Sequence, residues 1–343
     1  MPPGPIPGPS AWRGADLKHG AEWIHVLSDV ERAELHAAME RVRGRELLAV
    51  ERADFVLPTL GPTLDAVRRE LLHGRGFVLI RGIDRARYDL RELATIYWGL
   101  GMHIGKARSQ NAAGHVLGHV RDVGRREDDP NARIYQTNRR QYYHTDSVDI
   151  VGLLCVNKAR RGGLSSLVSS VTVYNEMRAR RPDLAAVMFE PFHTDRRGEV
   201  PAGMKPWFAI PVFNWYDGRL TTMYVRRYIE SARRFDDVAP LTDAQRAAMD
   251  LFDDLTEDQD LNLFMDFEPG DIQLVHNHQI LHDRTDFDDW PEPERKRHLL
   301  RLWLCPPDGR PLPPAFAARY GSVTVGDRGG IVVPDARLTV PLD

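Results

Sequence analysis

The stretch QYYHTDSVDIVGLLCV, residues 141–156, sets a carboxylate, Asp146, two places after an imidazole, His144, and then runs into an apolar segment. A carboxylate beside a buried strand costs free energy unless cations or hydrogen-bond donors meet it. Side chains on a strand alternate faces, so residues two apart point the same way. His144 and Asp146 can therefore present an imidazole and a carboxylate to one point, ahead of a buried strand over 148–156. Whatever completes that point has to come from another part of the chain.

Downstream, short apolar runs read as further strands over 207–214, 219–225, 271–281 and 298–304, with an Asp217-Gly218 turn between the first two. A helix over 241–255, opened by Thr242-x-x-Gln245, interrupts them. Upstream the texture is mostly helical. Ser28-Asp-Val-Glu31 is a capping-box pattern, and Leu35, Ala38, Met39 and Val42 follow at helical spacing. Pro62 opens a second helix that Gly74 ends, GFVLIRG (76–82) is a buried strand between glycines, and Asp89 begins a third helix reaching Leu100. Short strands with turns, and helices gathered at the N-terminal side, predict an α+β chain with a mainly β core of barrel or jelly-roll type.

Residues 105–140 are polar and lack periodicity, which predicts a long lid-like loop. The prolines of the first 20 residues predict an extended arm that could pack on a neighbouring copy, leaving 21–343 as a single domain and a homo-oligomer open. The 42% hydrophobic and 28% charged content is that of a soluble globular chain, and a net charge of −3 excludes the basic footprint of nucleic-acid binding. The charged run GRREDD (124–129) reads as a solvated loop. No segment approaches the ~20 apolar residues of a membrane span, and the N-terminus has neither the basic nor the apolar part of a signal peptide. Cys155 and Cys305 sit in apolar surroundings as inert buried thiols, so a cytoplasmic location is expected.

His144 and Asp146 supply two corners of the 2-His-1-carboxylate set that holds non-heme Fe(II). The stretch PGDIQLVHNHQILHDRTDF (269–287) offers His276, His278 and His282 for the third; on an unbroken strand all three share a face, and position alone does not choose among them. In RKRHLLRLWLCPP (295–307), Arg297, Leu299, Arg301 and Trp303 share one face while His298, Leu300, Leu302 and Leu304 share the other. Two guanidiniums on so apolar a strand need anionic partners. They are either rim arginines paired with Asp and Glu, or two anion clamps about 13 Å apart, from four residues at ~3.3 Å each.

Three blocks together resemble the taurine dioxygenase/TfdA-like Fe(II)- and 2-oxoglutarate-dependent dioxygenases: HTD (144–146), KARRGGLSSLVSS (158–170) and NHQILHDRTDF with RKRHLLRLWL (277–304). The resemblance implies a double-stranded β-helix and the cofactors Fe(II), 2-oxoglutarate and O2. It implies His144, Asp146 and His282 as iron ligands, because the motif's Asn five residues before the ligand and Arg soon after it match Asn277, His282 and Arg284. Arg297 and Ser165 then correspond to the residues that bind the distal carboxylate of 2-oxoglutarate, and Arg301 to the arginine that grips a substrate anion. The implied reaction is oxidative decarboxylation of 2-oxoglutarate coupled to C–H oxidation of a small, anionic molecule. Related halogenases lack the carboxylate ligand, so Asp146 argues for hydroxylation, with desaturation or cyclisation on the same iron as the alternative.

A rival reading is a non-catalytic, cupin-like metal-binding jelly roll; a co-substrate clamp of Arg297 with Ser165 would have no use there. Gly99-Leu-Gly101 and Gly162-Gly163 read as turns, and Tyr142 and Tyr143 as alternating between core and cavity. His115 and His119, at i and i+4 in QNAAGHVLGHV (110–120), could suit a helix-borne metal pair, but no zinc-protease Glu follows them; the segment could instead belong to a substrate lid.

Overall fold

A computed structural model describes residues 1–125, 133–331, 333 and 336–342. Two antiparallel-rich sheets carry the site. The larger has 7 strands, in the order Ile24–Val26, Phe77–Arg81, Ile272–His276, Ile150–Asn157, His298–Cys305 and Lys106–Ala107, with Leu117–Val120 also paired to His298–Cys305. The smaller has 4, in the order Asn262–Met265, Ser165–Ser169, Ile280–Arg284 and Gln141–His144. All their pairings are antiparallel except the one between Ile24–Val26 and Phe77–Arg81.

Strand alternation explains why the larger sheet reads as nearly continuous apolar sequence. Val78, Ile80, Leu154, Leu274, Leu300, Leu302 and Leu304 face outward, into a core shared with the helices Asp29–Arg41, Leu60–His73 and Leu90–Ile104. Phe77, Leu79, Val151, Val275, Leu299 and Trp303 face inward and meet Leu167, Leu263, Met265 and Ile280 of the smaller sheet. The smaller sheet's own outer face, including Tyr143, Val168 and Leu281, is covered by Ser170–Arg180 and Asp243–Thr256. Both faces of both sheets are thus largely buried, and the site lies in the space between them.

Local chemistry starts the helices where the sequence places them. Ser28, Asp89 and Thr242 each complete a capping box, with Glu31, Glu92 and Gln245. Three expectations change. The segment 105–140 contributes two strands to the larger sheet and the short helix Ile134–Gln136; its stretch 126–132, with most of GRREDD, lies outside the described residues. The N-terminal arm packs on its own chain. The Ile6 N–H donates to Asn175 Oδ1 at 2.8 Å, and the Trp12 indole donates to the Arg75 carbonyl at 2.9 Å and sits edge-on to Phe77. Finally, 271–281 is not one strand. Asn277–Gln279 form a turn between Ile272–His276 of the larger sheet and Ile280–Arg284 of the smaller. Among the described residues no helix is long and apolar enough to cross a membrane.

Candidate iron and co-substrate site

The turn at Asn277–Gln279 separates the three histidines. His282, on Ile280–Arg284, is the register partner of His144 on Gln141–His144, and their rings lie 4.1 Å apart. Asp146 follows just beyond that strand. Its loop is pinned by Asn277, whose Oδ1 accepts from the Asp146 N–H at 2.7 Å and whose Nδ2 donates to the Val148 carbonyl at 2.9 Å. Asp146 carboxylate oxygens stand 3.9 Å from His144 Nε2, 3.8 Å from His282 Nε2 and 3.6 Å from Arg301 Nη1. These separations are too long for hydrogen bonds. One ligand atom from each of His144, Asp146 and His282 lies within 4.8 Å of the others, close enough to share a single ion.

The donor set fits iron(II). His144 Nδ1 lies 2.8 Å from the Tyr142 carbonyl, so Nδ1 carries the proton and donates it. That leaves a lone pair on Nε2, which the Gln141 carboxamide nitrogen approaches to 2.8 Å. Burial, followed by the neighbouring His144, pushes the His282 imidazole down to about 3, so it is neutral and able to ligate. Burial alone would raise the Asp146 carboxyl, but Arg301, the two imidazoles and the Trp303 indole, which donates to Oδ2 at 3.0 Å, together hold it below the usual range. Two neutral imidazoles and one carboxylate are the facial set of non-heme iron oxygenases.

His276 and His278 belong elsewhere. His278 Nε2 is 2.9 Å from Asp149 Oδ1, and Arg328 donates to the same carboxylate through Nε at 3.1 Å and through Nη2. His276 faces Arg310, and burial drives its pKa well below the ordinary value.

Beside the triad lies a narrow cleft bounded by Ser165, Arg284, Arg297 and Arg301. Arg297 donates to the Gly163 carbonyl at 3.3 Å, while its Nη1 is buried with no hydrogen-bond partner among the described residues. Burial drops its pKa to about 10; Asp289 accepts from its backbone N–H at 2.6 Å, and among the described residues no carboxylate pairs with the fork itself. A side chain on Gly163, at φ +69°, would stand 2.8 Å from Arg297 Nε, so this turn glycine keeps the space for the guanidinium. Arg301 shares the inward face, as strand parity requires. Its Nε donates to Gln110 Oε1 at 2.6 Å, and its guanidinium lies 4.7 Å from the Tyr135 ring and 5.0 Å from that of Trp303.

On the other side of the triad opens a cavity of about 410 Å³. His144, Gln141, Tyr135 and Arg301 border both spaces, which makes them one site. Sequence reasoning missed Gln141. A register shift opposite His282/Arg284 adds one residue to its strand and turns it inward with His144, something alternation alone does not anticipate. The same bulge leaves Tyr142 67% exposed and Tyr143 in the outer core. Also missed were Gln110, Tyr135 and Arg319, which come from segments without periodic signal. His119 lies on the strand Leu117–Val120 and not on a helix; it stacks on His298, so His115 and His119 form no helix-borne pair.

Fold and site together define a jelly-roll iron(II)- and 2-oxoglutarate-dependent dioxygenase. Residues 42–303 match the model of the family described as taurine catabolism dioxygenase TauD, TfdA family, and the chain belongs to that family. Among its relatives is the FR-33289 synthase of Streptomyces rubellomurinus, 29% identical over 92% of this chain and 95% of that protein. The taurine hydroxylase-like protein SAT17 of Stachybotrys chartarum is 30% identical over 87% and 81%. An asparagine oxygenase solved with Fe(II), 2S,3S-3-hydroxyasparagine and succinate shares the fold at a TM-score of 0.65, with 14% identity over 82% of this chain and 93% of that one. So does the oxygenase OrfP solved with Fe, succinate and (3S)-hydroxy-L-Arg, at 0.62 and 14%, over 82% and 94%.

Proposed function

We propose that His144, Asp146 and His282 hold the iron, that Arg297 with Ser165 receives the distal carboxylate of 2-oxoglutarate, and that Arg301 orients the anionic group of a small substrate for hydroxylation. The observation that carries this reading is Arg297, a buried fork with one nitrogen unpartnered, in a cleft that His144 and His282 also border. A metal-binding module without a co-substrate has no use for such a group.

The bound iron with its keto acid and O2 supplies the oxidising chemistry. The chain's own residues position and shield. Trp303 holds one oxygen of Asp146 and Tyr142's carbonyl holds His144 Nδ1, so both ligands are aimed before metal arrives. Gln110, Tyr135 and Trp303 hold the Arg301 guanidinium, so an anion gripped there sits at a fixed offset from the triad. The names of the relatives span a synthase, a taurine hydroxylase-like protein and oxygenases of amino acids, which supports small polar substrates. Two buried free cysteines and the lack of a spanning helix among the described residues support a cytoplasmic enzyme. The test is anaerobic titration of Fe(II) and 2-oxoglutarate for the visible keto-acid chelate band, followed by O2 and a panel of small acids. Succinate should form in step with an oxidised product. A protein that binds iron but shows neither band nor succinate would contradict the reading.

A further inference from the structure

The cavity beyond the triad holds more positive charge than one substrate anion would use. Arg140 is matched by Asp283 and Glu257, and Arg226 by Asp250, Asp253 and Glu230. Arg227 is engaged as well, and the cavity's Asp195 is paired with Arg234; Arg301, Arg133 and Arg319 remain, with Glu199 as their carboxylate once Asp146 serves the metal. Arg133 takes Glu199 for itself: its Nη2 is 2.7 Å from Oε1, and its Nη1 donates to the Tyr228 hydroxyl at 2.6 Å.

Arg319 is left over. It stands on the short helix Ala317–Tyr320, its side chain is only 9% exposed, and it lies over the Phe208 ring at 5.6 Å. Its Nε donates to Ser147 Oγ at 2.7 Å. Its nearest carboxylate oxygen, on Glu199, is 3.9 Å away, beyond a hydrogen bond, and among the described residues its terminal nitrogens make none. A buried guanidinium without a hydrogen-bonded anion is costly for the fold. This one borders the cavity, held to Ser147, the residue after Asp146.

We propose that Arg319 is a second anion-binding arm of the substrate cavity and that the substrate is a small dianion, held by Arg301 and Arg319 across the face of the triad. This rests on the reading of Arg301 given above. Two attachment points, reaching in from His298–Cys305 and from the C-terminal helix, fix both position and rotation of the substrate, and so select which C–H faces the metal.

The test uses the full chain loaded anaerobically with Fe(II) and 2-oxoglutarate, with the chelate band as reporter. The probes are 3-sulfopropanoate, propane-1-sulfonate and methylphosphonate. In the wild type, 3-sulfopropanoate or dianionic methylphosphonate should perturb the band at concentrations at least ten-fold below propane-1-sulfonate. Preference for the first places the charges at two ends; preference for the second has both arms closing on one group. Arg319→Gln should abolish the ten-fold preference and leave the 2-oxoglutarate titration unchanged. Glu199→Gln should strengthen dianion binding, because the nearest competing carboxylate is gone; a merely structural Glu199 would weaken it. A dianion preference retained in Arg319→Gln, or unchanged or weakened binding in Glu199→Gln, overturns the proposal. Should Arg319→Gln fail to fold, Arg319→Lys decides: charge without the planar fork should cut the dianion preference well below ten-fold, and a preference equal to that of the wild type overturns the proposal. Absence of the chelate band in the wild type would instead overturn the underlying reading, and this inference with it.

Discussion

Two buried His–Asp–Arg clusters stand three residues apart in HTDSVD, and they are built to opposite ends. Around Asp149 both carboxylate oxygens are closed off by direct hydrogen bonds. His278 and Arg328 hydrogen-bond directly to its carboxylate, all three side chains are fully buried, and these partners overcome the cost of burial to hold the carboxyl at about 2. Around Asp146 the same residue types stop short of one another, at 3.6–3.9 Å, and border open space. A closed cluster serves the fold, since removing Asp149 or Arg328 strands a buried charge. An open one keeps lone pairs and a cation free for a ligand. The difference also distinguishes three histidines that look alike in the sequence.

The comparison can be broken by exchanging the expected consequences. Asp146→Ala should cause the largest functional loss, with metal affinity falling by more than the ~10–100-fold typical of outer-shell changes, coupled turnover abolished and little change in unfolding. Equilibrium dialysis with Fe(II) and succinate assays check it. Asp149→Asn should do the reverse. Leaving Arg328 unpaired is expected to cost about 3–5 kcal/mol of stability, while the surviving folded protein still forms the chelate.

That cost carries a pH signature. The folded carboxyl of Asp149, at about 2, lies below its unfolded value of ~3.9, so the stabilisation is fully present above pH ~4 and is lost as pH falls toward 2. The gap in unfolding free energy between wild type and variant should narrow over that window in denaturant melts. Next in size, Arg297→Ala removes a charge-assisted contact worth about 2–3 kcal/mol, so the 2-oxoglutarate concentration for half-maximal chelate should rise roughly 30–150-fold. An unchanged titration would move the clamp to another group. The smallest effect is expected for Trp303→Phe, which deletes the 3.0 Å donor to Asp146 Oδ2. Metal affinity should fall roughly 10-fold with the fold intact.

Much of this arrangement is legible in the sequence because it depends on strand parity. The alternation in RKRHLLRLWL correctly sends Leu300, Leu302 and Leu304 under the helices and Arg297, Arg301 and Trp303 inward. The three capping boxes likewise need only local chemistry. What parity misses is where parity breaks. The extra residue that turns Gln141 inward and the turn that sends His276 and His282 into different sheets are set by long-range pairing. Ser165–Ser169 carries too little apolar pattern to announce a strand, yet all five residues are buried. Arg319 follows the last strand of the larger sheet by 14 residues and meets Ser147 only through tertiary packing.

The central claim, that the open cluster and not the closed one takes the metal, is tested most directly by a paired anaerobic titration. Fe(II) and 2-oxoglutarate are added to wild type, His282→Ala and His278→Ala, and the visible chelate band is followed. The account predicts a full band in the wild type, none in His282→Ala, and a band in His278→Ala carried by whatever fraction of that less stable protein remains folded. A band that survives in His282→Ala and vanishes from folded His278→Ala would contradict it.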